Sequence, residues 1–486
     1  MNAITKIIEK YRNFPIQLKA SFWFLICSFL QKGISLITTP VFTRLLSTAE
    51  YGQYNVFNSW LGIVAIFVSL NLSYGVYTQG LVKFEEEEKL FSSSLQGLSA
   101  TLVAGWTVIY FIFRKFWNDL FSLSTVQMLA MLVMIWTTAV FGFWAAAQRV
   151  HFHYKMLVTV TLAVSIAKPV VGVFFVIHAA DKVTARILGL VLVELIGYSA
   201  FFWIQILRGK KFFCYKFWKH ALLFNIPLIP HYLSQTVLNS ADRIMIERMC
   251  GADEAGIYSL AYSISLIMTL FNTALMQTIS PWMYKKIKTK QIGTIAPIAY
   301  LTLCAIAIVN VLLIAFAPEA VAIFAPASYY DAIWIVPPVA MSVYFMYSYD
   351  LFAKFAFYYE KTKFITAGSV IGAISNILLN FIFISQFGYC AAGYTTLACY
   401  IVYSVGHYIF MNKVCDAFCD GARPYSMKVY LLITLSFMLI GFILLFTYSY
   451  NLLRYGISVV LTGVIFLKRK RLVGMLNRII EVKNIP

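Results

Sequence analysis

Two stretches of this chain nearly repeat one another: AEYGQYN (Ala49–Asn55) and DEAGIYS (Asp253–Ser259). An arginine stands six residues before the glutamate of each. Arg44, Glu50, Gly52 and Tyr54 correspond to Arg248, Glu254, Gly256 and Tyr258, always 204 residues apart. The same offset carries the start of an apolar run near 90 to one near 294, and one near 184 to one near 389. The first six apolar runs are therefore duplicated as the next six.

The surroundings of the phrase set the class of the molecule. Of 486 residues 61% are hydrophobic, 17% aromatic and only 12% charged, more apolar surface than a soluble domain of this size can hide. A window of roughly 20 residues finds about fourteen candidate membrane helices. They lie near 20–46, 55–81, 90–113, 120–147, 156–179, 184–207, 219–242, 257–283, 294–317, 330–353, 363–386, 389–411, 427–448 and 451–467. The runs are continuous rather than alternating, which excludes a β-barrel. The expectation is an all-α integral membrane protein of two six-helix lobes, 1–208 and 209–412, with a helix pair and basic tail at 413–486.

The formal charge of +19 is a topology signal. Connections on one side carry 29 Lys and Arg, from Lys6 to Lys483, and those on the other carry 8. By the positive-inside rule both termini are cytoplasmic, as an even helix count requires, and nucleic acid is not a partner. The eight cysteines form no disulfide framework, and Cys415, Cys419 and His407 match no zinc-ligand spacing, so neither metal nor other cofactor is expected. No phosphate-binding glycine loop is present.

Six helices per copy make the repeats parallel, an architecture suited to alternating access with a site near mid-membrane. Gly52 and Gly256 are expected to turn the backbone at the outer face, with Tyr54 and Tyr258 as interfacial anchors. Ser28, Gln31, Lys32, Ser35 and Thr39 form a polar stripe on the first helix. Asn225, His231, Gln235 and Asn239 form its counterpart on the seventh, with Gln31 matching Gln235 and Ser35 matching Asn239. These stripes are read as cavity lining, against the alternative of polar contacts between helices.

Ionisable side chains at membrane depth cost about 2.5–3.5 kcal/mol on insertion scales, so each is a functional candidate. Lys32, Lys168 and Glu194 qualify, all in the first half; positions 372 and 398, the counterparts of Lys168 and Glu194, are Gly and Ala. Two deep lysines suit an anion, which Arg44, Arg243 and Arg248 near the outer mouth would receive later. Glu194 is either an ion-pair partner of a lysine or a site for a coupling H⁺ or Na⁺. KFEEEEK (Lys83–Lys89) reads as a solvated loop, and RGKKFFCYKFWKH (Arg208–His220) as an interfacial linker. VYFMYSYD (Val343–Asp350) is either a sugar-stacking surface or an aromatic belt.

FLQKGISLITTPVFTRLLSTAEYGQYNVFNSW (Phe29–Trp60) and NSADRIMIERMCGADEAGIYSLAYSIS (Asn239–Ser265) resemble the bacterial polysaccharide flippases of the Wzx type. EKTKFITAGSVIGAISNILLNFIFISQFGYCAAGYTTLACY (Glu360–Tyr400) does too; its Asn376, Asn380, Gly388, Ala392 and Gly393 stand where the wider multidrug/oligosaccharidyl-lipid/polysaccharide exporter superfamily places Asn and Gly. The resemblance implies a non-enzymatic transporter of the bacterial inner membrane. Its cargo would be an undecaprenyl-pyrophosphate-linked oligosaccharide, an O-antigen or capsule repeat unit, moved from the cytoplasmic to the periplasmic leaflet. Other polysaccharide-assembly membrane proteins would be partners. Lys32, Lys168 and Arg44 match the basic residues that such families use for the diphosphate.

A cation-coupled multidrug antiporter of the same superfamily is the alternative, and it would want acidic residues at depth. A major-facilitator transporter carries a Gly- and Arg-rich second connection where this chain has KFEEEEK. A membrane polymerase or ligase needs a large outer loop, which no predicted connection supplies.

Overall fold

The computed structural model describes residues 15–460 and residue 463, and it is helical throughout with no strand among them. The basic residues before position 15 and after position 463, and the end of the span expected near 451–467, lie outside the described residues. Contacts divide the chain into two compact units at Ser240/Ala241. The division falls inside a helix, beyond the boundary at 208 expected from the repeat, because the linker after Arg208 docks onto the first unit.

In the first unit the helices are α1 (Ile16–Leu45), α2 (Thr48–Ser69), α3 (Val76–Lys83), α4 (Glu88–Ile112), α5 (Arg114–Phe121), α6 (Thr125–Val150), α7 (Tyr154–Ile177), α8 (Lys182–Gly209) and α9 (Tyr215–Asn225). The helix α10 (Ile229–Met249) crosses the boundary. The second unit continues with α11 (Ala252–Ser265), α12 (Met268–Lys288), α13 (Ile295–Ala315), α14 (Ala317–Phe324), α15 (Val336–Tyr358), α16 (Thr362–Phe387), α17 (Ala391–Phe418) and α18 (Met427–Phe446). The duplication shows in these bounds. The ends of α1 and α10, and the starts of α2 and α11, are each 204 residues apart.

Among the described residues nine helices are long and apolar enough to cross a membrane, or ten if the bent segment Ala327–Trp334 plus Val336–Tyr358 is one span. The expected spans near 55–81, 219–242 and 389–411 are helical but not among these. The first of them breaks at Leu70 and Asn71, whose φ values of 48° and 52° are left-handed. The second breaks at the 3₁₀ turn Ile226–Leu228, where Pro227 removes a backbone donor. The two breaks meet. The side chain of Asn225, fully buried, donates to the Leu70 carbonyl at 2.9 Å, so a carbonyl freed by one broken helix is satisfied by the end of the other.

The linker packs along α4 through small side chains. Ser93 Oγ donates to the Lys211 carbonyl at 2.8 Å, and the Trp218 indole N–H donates to the Ser94 carbonyl at 2.8 Å. A Cβ on Gly97 would stand 2.0 Å from the Phe212 carbonyl oxygen, so only glycine allows that approach. Phe217 then inserts into a cluster with Tyr77, Phe91 and Phe143, all fully buried. In the second unit α15 is the spine. Tyr344, Phe352 and Phe355 are fully buried, and α12, α13, α17 and α18 pack around it.

Candidate functional site

The repeated phrase is a helix-to-helix corner. Arg44 and Arg248 lie in the last turns of α1 and α10, and Glu50 and Glu254 in the first turns of α2 and α11. A cation at a helix C-terminus and an anion at an N-terminus both complement the peptide dipoles, which explains the charge order. In the first copy Ser47 and Glu50 form a capping box, Glu50 N donating to Ser47 Oγ at 3.2 Å and Ser47 N to Glu50 Oε2 at 2.8 Å.

Two expectations are corrected here. Gly52 and Gly256 sit buried inside α2 and α11 rather than in the turn. Tyr258 is no interfacial anchor but fully buried, and half-buried Tyr54 lies under Arg186, whose guanidinium is 3.5 Å from its ring centre and 3.6 Å from that of Phe42. The turn is made by the residues before each second helix, Ser47 capping the first copy and Gly251 the second, which leaves the glycines and tyrosines of the phrase free to pack inward.

On α1, Gln31, Lys32 and Ser35 are exposed. Lys32 is 13 residues from each end of the apolar segment Lys19–Leu45, about 20 Å at 1.5 Å per residue. Gln31 donates to Ser165 Oγ on α7 at 3.3 Å. Lys168 is one turn from Ser165, so Lys32 and Lys168 lie within about a turn of one another in height. Lys168 Nζ donates to Glu194 Oε1 on α8 at 2.7 Å, and Thr137 Oγ1 on α6 donates to Glu194 Oε2 at 2.6 Å. The carboxylate is 3% exposed and the lysine 31%. Each carboxylate oxygen thus has a donor, while the ammonium keeps an open side.

Arg44 is exposed at the end of α1, donating to the Pro40 carbonyl at 2.9 Å. Gln235 and Asn239 are one turn apart on α10, the Asn239 amide donating to the Gln235 carbonyl at 2.8 Å. Arg243 and Arg248 belong to the second unit. Arg243 lies over the Tyr262 ring at 4.3 Å, and Arg248 is exposed. Lys168 and Glu194, both selected from the sequence, are brought into ion-pair contact. No grouping of three or more His, Cys, Asp or Glu has metal-binding geometry among the described residues.

The second half does hold a buried charge that the sequence reading missed. Asp242, 1% exposed, accepts hydrogen bonds from the Tyr258 hydroxyl at 2.7 Å and the Thr396 hydroxyl at 2.9 Å. Its other oxygen accepts from the Asn380 amide at 2.6 Å, and Thr395 in turn donates to Asn380 Oδ1. Asn376 and Asn380, one turn apart on α16, are both fully buried. The span expected near 219–242 places Asp242 at its end, whereas α10 runs on to Met249. Its signal was the phrase itself, since Tyr258 is the residue that reaches it.

This bundle is the fold of the multidrug/oligosaccharidyl-lipid/polysaccharide transporters. It is similar to a structure of the lipid II flippase MurJ in an inward closed conformation, with a TM-score of 0.69 at 15% identity over 92% of this chain and 98% of that one. It is similar too to an inward-facing multidrug resistance MATE family transporter of the MOP superfamily, with a TM-score of 0.63 at 11% identity over 81% and 96%. Residues 17–287, more than half of the sequence, match the family described as polysaccharide biosynthesis protein, and the chain belongs to that family. Lsg locus protein 1 of Haemophilus influenzae is 24% identical over 384 residues, covering 73% of this chain and 88% of that relative.

Proposed function

We propose that this protein carries undecaprenyl-diphosphate-linked oligosaccharides, O-antigen or capsule repeat units, from the cytoplasmic to the periplasmic leaflet of the bacterial inner membrane. It works by alternating access, with both termini cytoplasmic and no covalent chemistry. The observation that carries this reading is Lys32, an exposed ammonium at the centre of a membrane span, with Lys168 at about the same height. Lipid does not accommodate such a charge, so it faces water, and a diphosphate is the ligand that two ammonium groups hold most strongly. The prenyl chain stays in the bilayer while the glycan and diphosphate cross. Arg44, Arg243 and Arg248 take up the anion on the outer side, and Gln31, Ser35, Gln235 and Asn239 line its route. Membership of a polysaccharide biosynthesis family and likeness to a lipid II flippase support the same cargo class.

A coupling H⁺ or Na⁺ binds at the buried carboxylates, Glu194 in the first unit and Asp242 in the second. Asp242, a buried acid, also favours the second reading, a cation-coupled multidrug antiporter, and the chain is similar in fold to a MATE family transporter as well. One experiment separates them: the leaflet distribution of lipid-linked oligosaccharide in a strain lacking the gene. Cytoplasmic accumulation that wild type relieves and Lys32→Ala does not is the outcome expected. Intermediates lying normally on the outer side would overturn the flippase reading in favour of the antiporter.

A further inference from the structure

The cationic group on α1 and α7 accounts for a diphosphate but not for the sugars attached to it. We propose that the second unit holds a glycan-reading site, a cavity of about 450 Å³ between α12 and α15 that binds the uncharged, hydroxyl-bearing face of a sugar residue. The proposal rests on the carrier reading above and adds to it a second, chemically different point of contact.

The first observation is a polar stripe where lipid would demand the opposite. The helix α12 belongs to the candidate span Ala252–Lys288, yet Thr269, Thr273, Gln277 and Ser280 recur along it at three- to four-residue steps. The Thr273 and Gln277 side chains are exposed. A primary amide exposed at that depth is costly in lipid and is accommodated beside water or a polar ligand. Thr273 donates its own proton to the Thr269 carbonyl at 2.8 Å, so its oxygen lone pairs remain to accept from a ligand.

The second observation is an unanswered acceptor in the same wall. Asn272 donates its amide to the Val343 carbonyl at 2.9 Å, while its Oδ1 is buried and accepts no hydrogen bond among the described residues. Such an atom costs free energy where it stands, and a turn of this side chain toward the cavity it lines would bring it a sugar hydroxyl as donor.

The opposite wall sets the ligand class. Tyr349 of α15 offers a half-buried ring braced by Tyr403, with ring centres 4.7 Å apart, and by Tyr400 at 6.4 Å. A fixed aromatic face suits the C–H face of a pyranose. Asp350 is 2.6 Å from Lys354 Nζ and is thereby neutralised, so the cavity wall carries no uncompensated charge. Neither an anion nor an organic cation is favoured there. An amide, hydroxyl acceptors, a paired carboxylate and an aromatic plate are together the complement of a neutral polyol.

The test uses full-length protein in lipid nanodiscs and two probes. One is undecaprenyl diphosphate bearing the cell's own oligosaccharide; the other is undecaprenyl diphosphate alone. The double variant Thr273→Val, Gln277→Leu alters exposed positions, and its folding is checked by thermal unfolding. Losing two hydrogen bonds is expected to weaken its binding of the glycan-bearing lipid about tenfold and to leave the bare lipid bound as by wild type. Unchanged affinity of the variant for the glycan-bearing lipid, or equal weakening toward both lipids, overturns the glycan site and leaves the carrier reading standing. Wild type that binds neither lipid overturns both.

Discussion

Lys168 and Glu194 face one another across two helices with 2.7 Å between ammonium and carboxylate oxygen, the acid sealed at 3% exposure and the base open at 31%. Removing the acid leaves an ammonium against apolar helices. Losing one partner of a fully buried pair costs roughly 3–5 kcal/mol, and the partial exposure of Lys168 lowers that to about 2 kcal/mol for Glu194→Ala. The double variant Lys168→Met, Glu194→Leu should recover most of the loss in thermal unfolding while failing to restore surface polysaccharide. A double variant that still transports would reduce the pair to helix packing.

Lys32 stands under no such constraint. It is exposed at mid-span and no ion pair joins it to an acid among the described residues, so Lys32→Ala should insert and unfold like wild type. Transport should nevertheless be abolished. Surface polysaccharide measured in a complemented null strain decides the matter, and a normal level would remove Lys32 from the anion's route.

Asp242 accepts from three donors, and its substitutes should rank by what they leave unpaired. Tyr258→Phe removes one donor and should cost about 1 kcal/mol. Asp242→Asn turns an amide toward groups that themselves donate and should cost roughly 2–3 kcal/mol. With coupling at this carboxylate, residual transport by Asp242→Asn in proteoliposomes should no longer respond to an imposed Na⁺ or H⁺ gradient, whereas Tyr258→Phe should still respond. Equal responses in the two variants would move the coupling site elsewhere.

Gly97 tests the docking of the linker. A methyl group there would be 2.0 Å from a backbone oxygen of Phe212, and backbone cannot swing aside as a side chain can. Gly97→Ala should destabilise by about 2–3 kcal/mol. Lower thermal stability together with faster proteolysis at Lys210 and Lys211 is the expected result. An unperturbed midpoint would mean that the linker is not held at this point.

Much of the fold was legible because its causes are local. Composition and run length gave membrane helices, since a bilayer asks only for length and hydropathy. The duplication was visible in Arg44, Glu50 and Tyr54 against Arg248, Glu254 and Tyr258 because dipole-complementing charges fall at fixed positions of a helix corner. The breaks at Leu70 and at Ile226–Leu228 were less legible. Ser69, Asn71 and Ser73 at the first and Asn225, Pro227 and Pro230 at the second are too few to interrupt a hydropathy window of roughly 20 residues, and the packing that brings Asn225 to the Leu70 carbonyl is what sustains the interrupted helix.

The sequence by itself therefore determined an all-helical membrane protein built from a repeated unit, with lysines at a depth where lysine is costly. Tertiary structure decided which polar groups meet. Lys168 and Glu194 are 26 residues apart, and Asp242 and Thr396 are 154. Periodicity fixes the face a residue occupies, but the neighbour on that face depends on how distant helices cross, and a buried charge persists only where those crossings bring it a partner.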